Sequence, residues 1–198
     1  EHDGLSNLGE KVVGRMNELG MIVDVSHISD KAFYDVLKKT TAPVVASHSC
    51  ARALCDHPRN LSDDMLRALK KNDGVIQICF LSDYLKKIKQ DPARDSAYKA
   101  LKEKYNGFKY LTEEERVKAR KEWYGINKKF PKKLATVKDI VDHIDHVVDV
   151  IGIDYVGIGT DFDGGGRVEN CTDVSQMENI TNELLKRGYN KEEIEKIW

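Results

Sequence analysis

Two histidines stand directly after short apolar runs, at matching places in the chain. The run in GMIVDVSHISD ends at His27, and in APVVASHSCARAL the residues Val44 to Ser47 lead into His48. Neutral imidazole is a common zinc ligand, and the end of a β-strand holds a side chain rigidly enough to fix the ligand geometry. One such histidine would more often be a hydrogen-bonded structural residue, but the matched pair favours a metal site.

A carboxylate follows a third apolar run. Asp161 comes near the end of YVGIGTDF, Tyr155 to Phe162. Functional groups of parallel α/β proteins collect at the carboxyl ends of the strands, so we predict that Asp161, His27 and His48 converge on one edge of a sheet. A carboxylate placed there can accept a proton from metal-bound water or hold that water in line for attack.

The glycine run beside Asp161 allows two other interpretations, and neither is favoured. Gly165 and Thr172 occupy the positions where a calcium loop needs a side-chain ligand and a closing glutamate. The run also lacks the Lys-Ser/Thr pair that follows the glycines of a phosphate-binding P-loop.

Arg59 and Tyr84 are candidates for binding a substrate, because each lies in a segment that follows a predicted strand. The planar guanidinium of arginine pairs well with a carboxylate, although a surface arginine is an equally common explanation for such a residue. His143 and His146, three apart in VDHIDHVV, could be mistaken for a helical metal motif. Since that helix lies outside the sheet, we interpret both histidines as making polar contacts at the surface.

The elements that must position these residues alternate between strands and helices. Helices are predicted to begin after the N-caps Ser29 and Ser62. Strands joined through helices are parallel, because parallel neighbours need crossover connections. Four βα units result, which is half of an eight-stranded barrel or a small doubly wound sheet. The predicted strands are Met21–Ser26, Val44–Ser47, Val75–Phe80 and Tyr155–Phe162.

A charged insert, at about residues 86–135, separates the third strand from its helix. It is dense in lysine and glutamate, and Thr112 with Glu115 predicts a capping box at the start of a helix. Acidic and basic residues are interleaved, so a solvated helical surface is favoured over a polyanion-binding site.

Composition excludes some classes of partner. The 198 residues include 32 Lys and Arg against 33 Asp and Glu, and the net charge of -1 gives no case for binding nucleic acid or an anionic membrane. No apolar run approaches the roughly 20 residues of a transmembrane helix. The four cysteines form no CxxC pair, so we interpret them as buried or half-buried thiols.

Several long motifs resemble, in order, the carboxyl-terminal half of the membrane (renal) dipeptidase family. They are GMIVDVSHISD, APVVASHSCARAL, HPRNLSDDMLRAL, GVIQICF, HIDHVVDVIGIDYVGIGTDFDG and ENITNELLKRGYNKEEIEKI. The resemblance implies a (β/α)8 TIM barrel of the metal-dependent hydrolase type, with residues 1–198 supplying about its second half. It also implies hydrolysis of dipeptides to free amino acids by a metal-activated hydroxide, with two zinc ions bridged by a carboxylate, and a homodimer.

The resemblance assigns roles to five residues. His27 and His48 fall on the histidines that bind the second zinc ion. Arg59 falls on the arginine that binds the free carboxylate of the substrate, Tyr84 on a tyrosine of the substrate pocket, and Asp161 on the carboxylate beside the attacking water.

The sequence departs from the family pattern at the first metal. The H-x-D pair and the bridging glutamate of the family have no counterpart, since His2 and Asp3 are adjacent. We therefore expect the isolated segment to bind metal weakly and to have no useful peptidase activity. Two alternatives remain open: a non-catalytic half-barrel that needs a complementary N-terminal half, and a metal hydrolase of another small amide.

Overall fold

The computed structural model describes residues 3–89 and 91–198. The chain divides into two compact units, of which the second is Ile88–Lys133 and the first comprises the residues before and after it. The second unit lies within the segment predicted as a charged insert. None of the helices in the described part of the chain combines the length and the apolar character that a membrane span requires.

The first unit is built on a parallel sheet. Its strands are β1 (Val45–Ser49), β2 (Val75–Cys79) and β3 (Val156–Gly159), hydrogen-bonded in the order β1-β2-β3. The helices of this unit are α1 (Asn7–Glu18), α2 (Asp30–Lys39), α3 (Asp63–Lys71), α4 (Ser82–Leu85), α7 (Val137–Ile151), α8 (Glu178–Lys186) and α9 (Lys191–Ile197). The observed fold is therefore α/β with parallel strands, as the alternation of patterns predicts.

Local signals in the sequence set where the helices begin. The hydroxyl of Ser29 accepts from the backbone N–H of Ala32 at 3.2 Å, and the hydroxyl of Ser62 accepts from that of Met65 at 3.3 Å. Both predicted N-caps are confirmed. Each satisfies a backbone donor that has no partner inside its helix.

The core lies between the sheet and the helices that cover it. Strand residues such as Ala46, Ile76 and Ile78 are fully buried, and they belong to one continuous cluster with the apolar faces of α3 and α7. Burial on this scale holds the strand ends, and the loops that follow them, in fixed positions.

The first predicted strand, Met21–Ser26, is wrong as an extended strand: it is reduced to a single parallel bridge between Asp24 and Val45. The backbone pairs twice, Val45 N–H with the carbonyl of Val23 and Val25 N–H with the carbonyl of Val45. The next donor in the ladder, the N–H of Ser47, bonds instead to the carboxylate of Asp24 at 3.2 Å. The Asp24 side chain thus replaces the next backbone hydrogen bond between the two segments. The described residues form three strands where four were predicted.

Strand β1 contains a bulge at Ser47 and His48. Ala46 pairs with Ile76 and Ser49 pairs with Ile78, so three steps along β1 match two along β2. Ala46 and Ser49 are fully buried, whereas the two residues between them are half-buried. Neighbours in a regular strand point to opposite faces. The bulge instead turns Ser47 and His48 to the same open side.

The second unit is a pair of helices, α5 (Pro92–Lys104) and α6 (Glu113–Lys129), joined through a short 3-10 turn at Asn106–Phe108. Its small core contains Leu101, Tyr105 and Ala119. The capping box predicted from Thr112 and Glu115 is present at the start of α6.

Candidate active site

The structure brings His27 and His48 together at the carboxyl end of the sheet. Their Nε2 atoms are 2.7 Å apart and their ring centroids 4.8 Å apart. His27 lies just after the bridge at Asp24, with a left-handed backbone (φ 70°). His48, predicted to follow the strand, lies inside β1 at the bulge.

The other ring nitrogen of His48 is held by a chain of hydrogen bonds. The hydroxyl of Ser47 donates to Oδ2 of Asp24 at 2.5 Å and lies 2.8 Å from Nδ1 of His48. A carboxylate can only accept, so the hydroxyl proton is used on Asp24, and Nδ1 of His48 must be the donor to Ser47. The lone pair of His48 therefore sits on Nε2 and is directed toward His27. This is the tautomer in which an imidazole binds a metal through Nε2.

Burial, hydrogen bonds and nearby charges keep Asp24 ionised and His48 neutral, as the hydrogen bonds among Asp24, Ser47 and His48 require. Burial raises the pKa of Asp24, but hydrogen bonds from the Ser47 hydroxyl and from the N–H groups of Ser26 and Ser47 outweigh burial, and the pKa lies below its ordinary value. Burial lowers the pKa of His48, an effect that the nearby charge of Asp161 partly opposes. His48 is thus neutral at pH 7, as a metal ligand must be.

Arg59 and Tyr84 form a second pair beside the histidines. The guanidinium carbon of Arg59 lies 5.3 Å from the centroid of the Tyr84 ring, and the His57 ring is tilted against the same ring with centroids 4.5 Å apart. Nη2 of Arg59 donates to the carbonyl of His48 at 3.3 Å. Among the described residues, the buried Nε of Arg59 has no hydrogen-bond partner. Arg59 as a whole is half-buried, and its planar guanidinium suits a carboxylate ligand.

Asp161 lies in the tight loop that follows β3. Its backbone is left-handed (φ 54°), and its carbonyl accepts from the N–H of Gly166 at 2.7 Å. A Cβ atom on Gly164 would collide with the carboxylate of Asp161, and one on Gly166 would collide with the carbonyl of Thr160. The glycine run is therefore needed for the close folding of this loop around Asp161.

The donor set is suited to part of a zinc site. Two nitrogens bound to a tetrahedral zinc ion at 2.0 to 2.1 Å would be about 3.3 Å apart, whereas the two Nε2 atoms are 2.7 Å apart, the distance of a direct hydrogen bond. Within residues 3–89 and 91–198, no third His, Cys, Asp or Glu joins them in a group that could hold a metal. His2, considered above as a first-metal residue, lies outside the described residues. The two imidazoles could serve as neighbouring ligands of one ion if the rings moved apart by about 0.6 Å.

The two helical histidines have different environments, and the interpretation of His143 as a surface residue is wrong. His143 is 1% exposed, because it shares the buried face of α7 with Ile140, Ile144 and Val147. Its spacing from those residues was the signal that could have placed it inside. His146 is half-buried and pairs with Asp63 at 2.8 Å, so the interpretation as a polar contact is confirmed for His146.

A parallel α/β sheet that carries paired imidazoles at the carboxyl ends of its strands is typical of metal-dependent enzymes. The chain belongs to the membrane dipeptidase family (Peptidase family M19), which matches residues 1–198. The family is one of peptidases.

Relatives of this chain include named dipeptidases. Dipeptidase tcpJ of Claviceps purpurea is 38% identical over 197 residues, which are 99% of this chain and 36% of that protein. Dipeptidase 3 of Homo sapiens is 33% identical over 195 residues, which are 98% of this chain and 31% of that protein.

Solved structures show the same relationship. The probable dipeptidase PvdM from Pseudomonas aeruginosa superposes with a TM-score of 0.78 at 37% identity, covering 98% of this chain and 52% of its own. A metallopeptidase from Rhodobacter sphaeroides, bound to a phosphinate mimic of the dipeptide L-Ala-D-Ala, superposes with a TM-score of 0.73 at 26% identity, covering 99% of this chain and 44% of its own. The chain thus spans about a third of the length of the curated relatives and about half that of the solved structures.

Proposed function

We propose that this chain carries part of the active site of a zinc-dependent dipeptidase, whose complete form hydrolyses dipeptides to free amino acids. Membership of the dipeptidase family and the names of its relatives support the reaction class. The observation that carries the proposal is the tautomer of His48: the bond to Ser47 leaves the lone pair of Nε2 facing Nε2 of His27.

Each of the five candidate residues has a role in this proposal. His27 and His48 would hold one zinc ion through Nε2. When bound, the metal polarises the peptide carbonyl and lowers the pKa of a water molecule so that it can attack. Asp161, in the loop that follows β3, would orient that water and accept its proton. Arg59 would bind the free carboxylate of the dipeptide, with Tyr84 lining the pocket.

The guanidinium of Arg59, half-buried beside the Tyr84 ring, favours a substrate with a free carboxyl terminus over another small amide. A guanidinium forms two parallel hydrogen bonds with a carboxylate, and a lactam or a carboxamide offers no matching charge. The dipeptide mimic bound by the Rhodobacter sphaeroides relative is in keeping with this choice.

The segment would act within a larger assembly. Two imidazoles are too few ligands for a stable zinc site, so we expect the remaining ligands, including a bridging glutamate and those of a second zinc ion, to come from outside these 198 residues. The chain would then be about the second half of a (β/α)8 barrel, with its insert at about 86–135, and the complete protein would be a homodimer. A separate N-terminal half could supply the same ligands in trans.

Zinc content and dipeptide hydrolysis, measured for this segment and for the protein extended upstream, test the proposal. The extended protein should bind two zinc ions per chain and be active, and the segment alone should be inactive. Activity and two zinc ions in the segment alone would refute the fragment interpretation. An extended protein that binds no zinc, or that cleaves no dipeptide, would refute the catalytic one.

The role of Arg59 has its own test in the active protein. Arg59→Ala should raise the KM for free dipeptides much more than the KM for C-terminally amidated ones. Arg67→Ala is the matched control, because Arg67 is exposed and pairs with Asp64 on the surface of α3. Equal effects on both substrates would argue against a carboxylate site.

A further inference from the structure

The one-turn helix α4, which carries Tyr84, is held by side chains from distant parts of the chain. A helix leaves its last four carbonyl groups without partners inside it, and α4 has four residues in all. Nδ2 of Asn60 donates to the carbonyl of Tyr84 at 2.8 Å. Nε2 of His143 lies 2.8 Å from the carbonyl of Leu85. Two side chains thus fix the backbone at and directly after Tyr84.

Asn60 links this helix to the loop that carries Arg59. Its second amide hydrogen bonds the carbonyl of Cys55 at 2.9 Å, and the residue is 1% exposed. Because Asn60 directly follows Arg59, the two carbonyl contacts set the place of the guanidinium relative to Tyr84.

His143 links the same helix to the segment that follows β1. Its Nδ1 accepts from the backbone N–H of Ala51 at 3.0 Å, so Nε2 carries the proton and donates to Leu85. Burial lowers the pKa of His143, which keeps the ring in this neutral form. Ala51 lies three residues after His48. One buried ring therefore joins the backbones beside His48 and beside Tyr84.

We propose that Asn60 and His143 are positioning residues of the substrate pocket, which hold Tyr84 at its place against Arg59. This inference rests on the proposed function, in which Arg59 and Tyr84 bind the substrate. Both residues act through the backbone, so their loss should weaken substrate binding more than the chemical step.

Two substitutions at His143 separate hydrogen bonding from packing. In His143→Gln, the amide oxygen can accept from Ala51 and the amide nitrogen can donate to Leu85. In His143→Leu the volume is largely kept and both bonds are lost. His146→Leu is the control on the same helix, because His146 contacts Asp63 and neither of the loops concerned.

A pair of asparagines provides the second comparison. Asn60→Ala removes the two bonds to Cys55 and Tyr84. Asn72→Ala removes a comparable pair, to Val44 and Ala42, at the opposite end of the sheet. Both variants lose side-chain hydrogen bonds to the backbone. Of the two residues, Asn60 bonds the backbone of Tyr84 and Asn72 does not.

The measurements are made on the full-length protein that contains this chain. We expect His143→Leu and Asn60→Ala to raise the KM for a free dipeptide about fivefold to tenfold with kcat changed less than about twofold. His143→Gln, His146→Leu and Asn72→Ala should stay near wild type. Equal KM changes in both variants of each pair, or a change confined to kcat, would overturn the inference.

Amide hydrogen exchange gives a readout that does not depend on catalysis. His143→Leu should speed exchange at Ala51 about tenfold or more, because this N–H loses its acceptor, and His143→Gln should not. Unchanged exchange in His143→Leu overturns the inference. The N–H of Lys86 donates to the carbonyl of Ser82 and so reports on α4. If the wild-type protein cleaves no dipeptide, the proposed function fails, and the exchange at Ala51 and Lys86 still decides whether these residues hold α4.

Discussion

Nε2 of His48 faces Nε2 of His27 across 2.7 Å while its Nδ1 bonds the hydroxyl of Ser47. The bond between Nδ1 and Ser47 determines which atom carries the proton in the contact between the two Nε2 atoms. With the Ser47 proton committed to Asp24, His48 can offer its neighbour a lone pair. In the protein without metal, Nε2 of His27 must donate to it. A zinc ion between the rings would replace that proton.

Replacing either histidine should therefore remove zinc binding to the same extent. We expect His27→Ala and His48→Ala each to lower the zinc affinity of the extended protein by more than the roughly 10- to 100-fold that follows loss of an outer partner of a metal ligand. Isothermal titration with zinc measures the effect. His146→Ala, which breaks a contact with Asp63, should change nothing. Unaltered affinity in either site variant would rule out a shared ion.

Asp24 should matter for zinc without touching it. In Asp24→Asn one carboxylate oxygen becomes an NH2 group, so the side chain can no longer accept from both the N–H and the hydroxyl of Ser47. His48 then loses its fixed tautomer. We expect a drop in zinc affinity of about 10- to 100-fold with little change in circular dichroism. Asp30→Asn is a control with the same change of side chain. Asp30 lies in the first turn of α2 and pairs with Arg52. Equal losses in the two variants would mean that Asp24 acts through stability alone.

Gly164 should be needed for activity although it carries no functional group. Gly164→Ala places a methyl group against the carboxylate of Asp161, which must then move. We expect kcat to fall at least about tenfold, because displacing a reacting group by a fraction of an ångström is costly. Gly125→Ala, in α6 with open space around it, should instead raise the melting temperature slightly. Full activity of Gly164→Ala would show that Asp161 has no fixed position in the reaction.

His143 should make stability depend on pH. Its pKa is lowered in the folded state, so the unfolded chain binds more protons below about pH 6.5. Stability is then full above that pH and is lost as the pH falls toward the folded pKa. Between pH 7 and pH 5.5 the loss in unfolding free energy should be smaller in His143→Gln than in wild type. Urea titrations at several pH values measure it, and parallel curves would contradict it.

Features fixed by neighbouring residues could be read from the sequence. The caps Ser29 and Ser62 act within three residues of themselves, and the alternation of helix and strand needs no knowledge of partners. The positions of His27 and His48 followed from the same reasoning, because parallel strands bring their ends together.

Features that depend on a distant partner could not be read in this way. The bulge in β1 exists only relative to β2, and the loss of the first strand depends on where the Asp24 carboxylate meets Ser47. Nothing local marks Asn60 as the residue whose two donors reach Cys55 and Tyr84. The roles of the site residues remain predictions, since they depend on ligands outside the described residues.

The bulge in β1 also makes this strand intolerant of a change in length. Removing Ser47 would restore the regular alternation of the strand, with Ala46 and Ser49 still buried, but His48 would lose the bulge that positions its ring and the hydroxyl that bonds its Nδ1. Substitutions here alter one contact, whereas a single deletion would remove the bulge itself. We expect natural variation in this segment to be confined to exchanges of residues, with the count between Ala46 and Ser49 held constant.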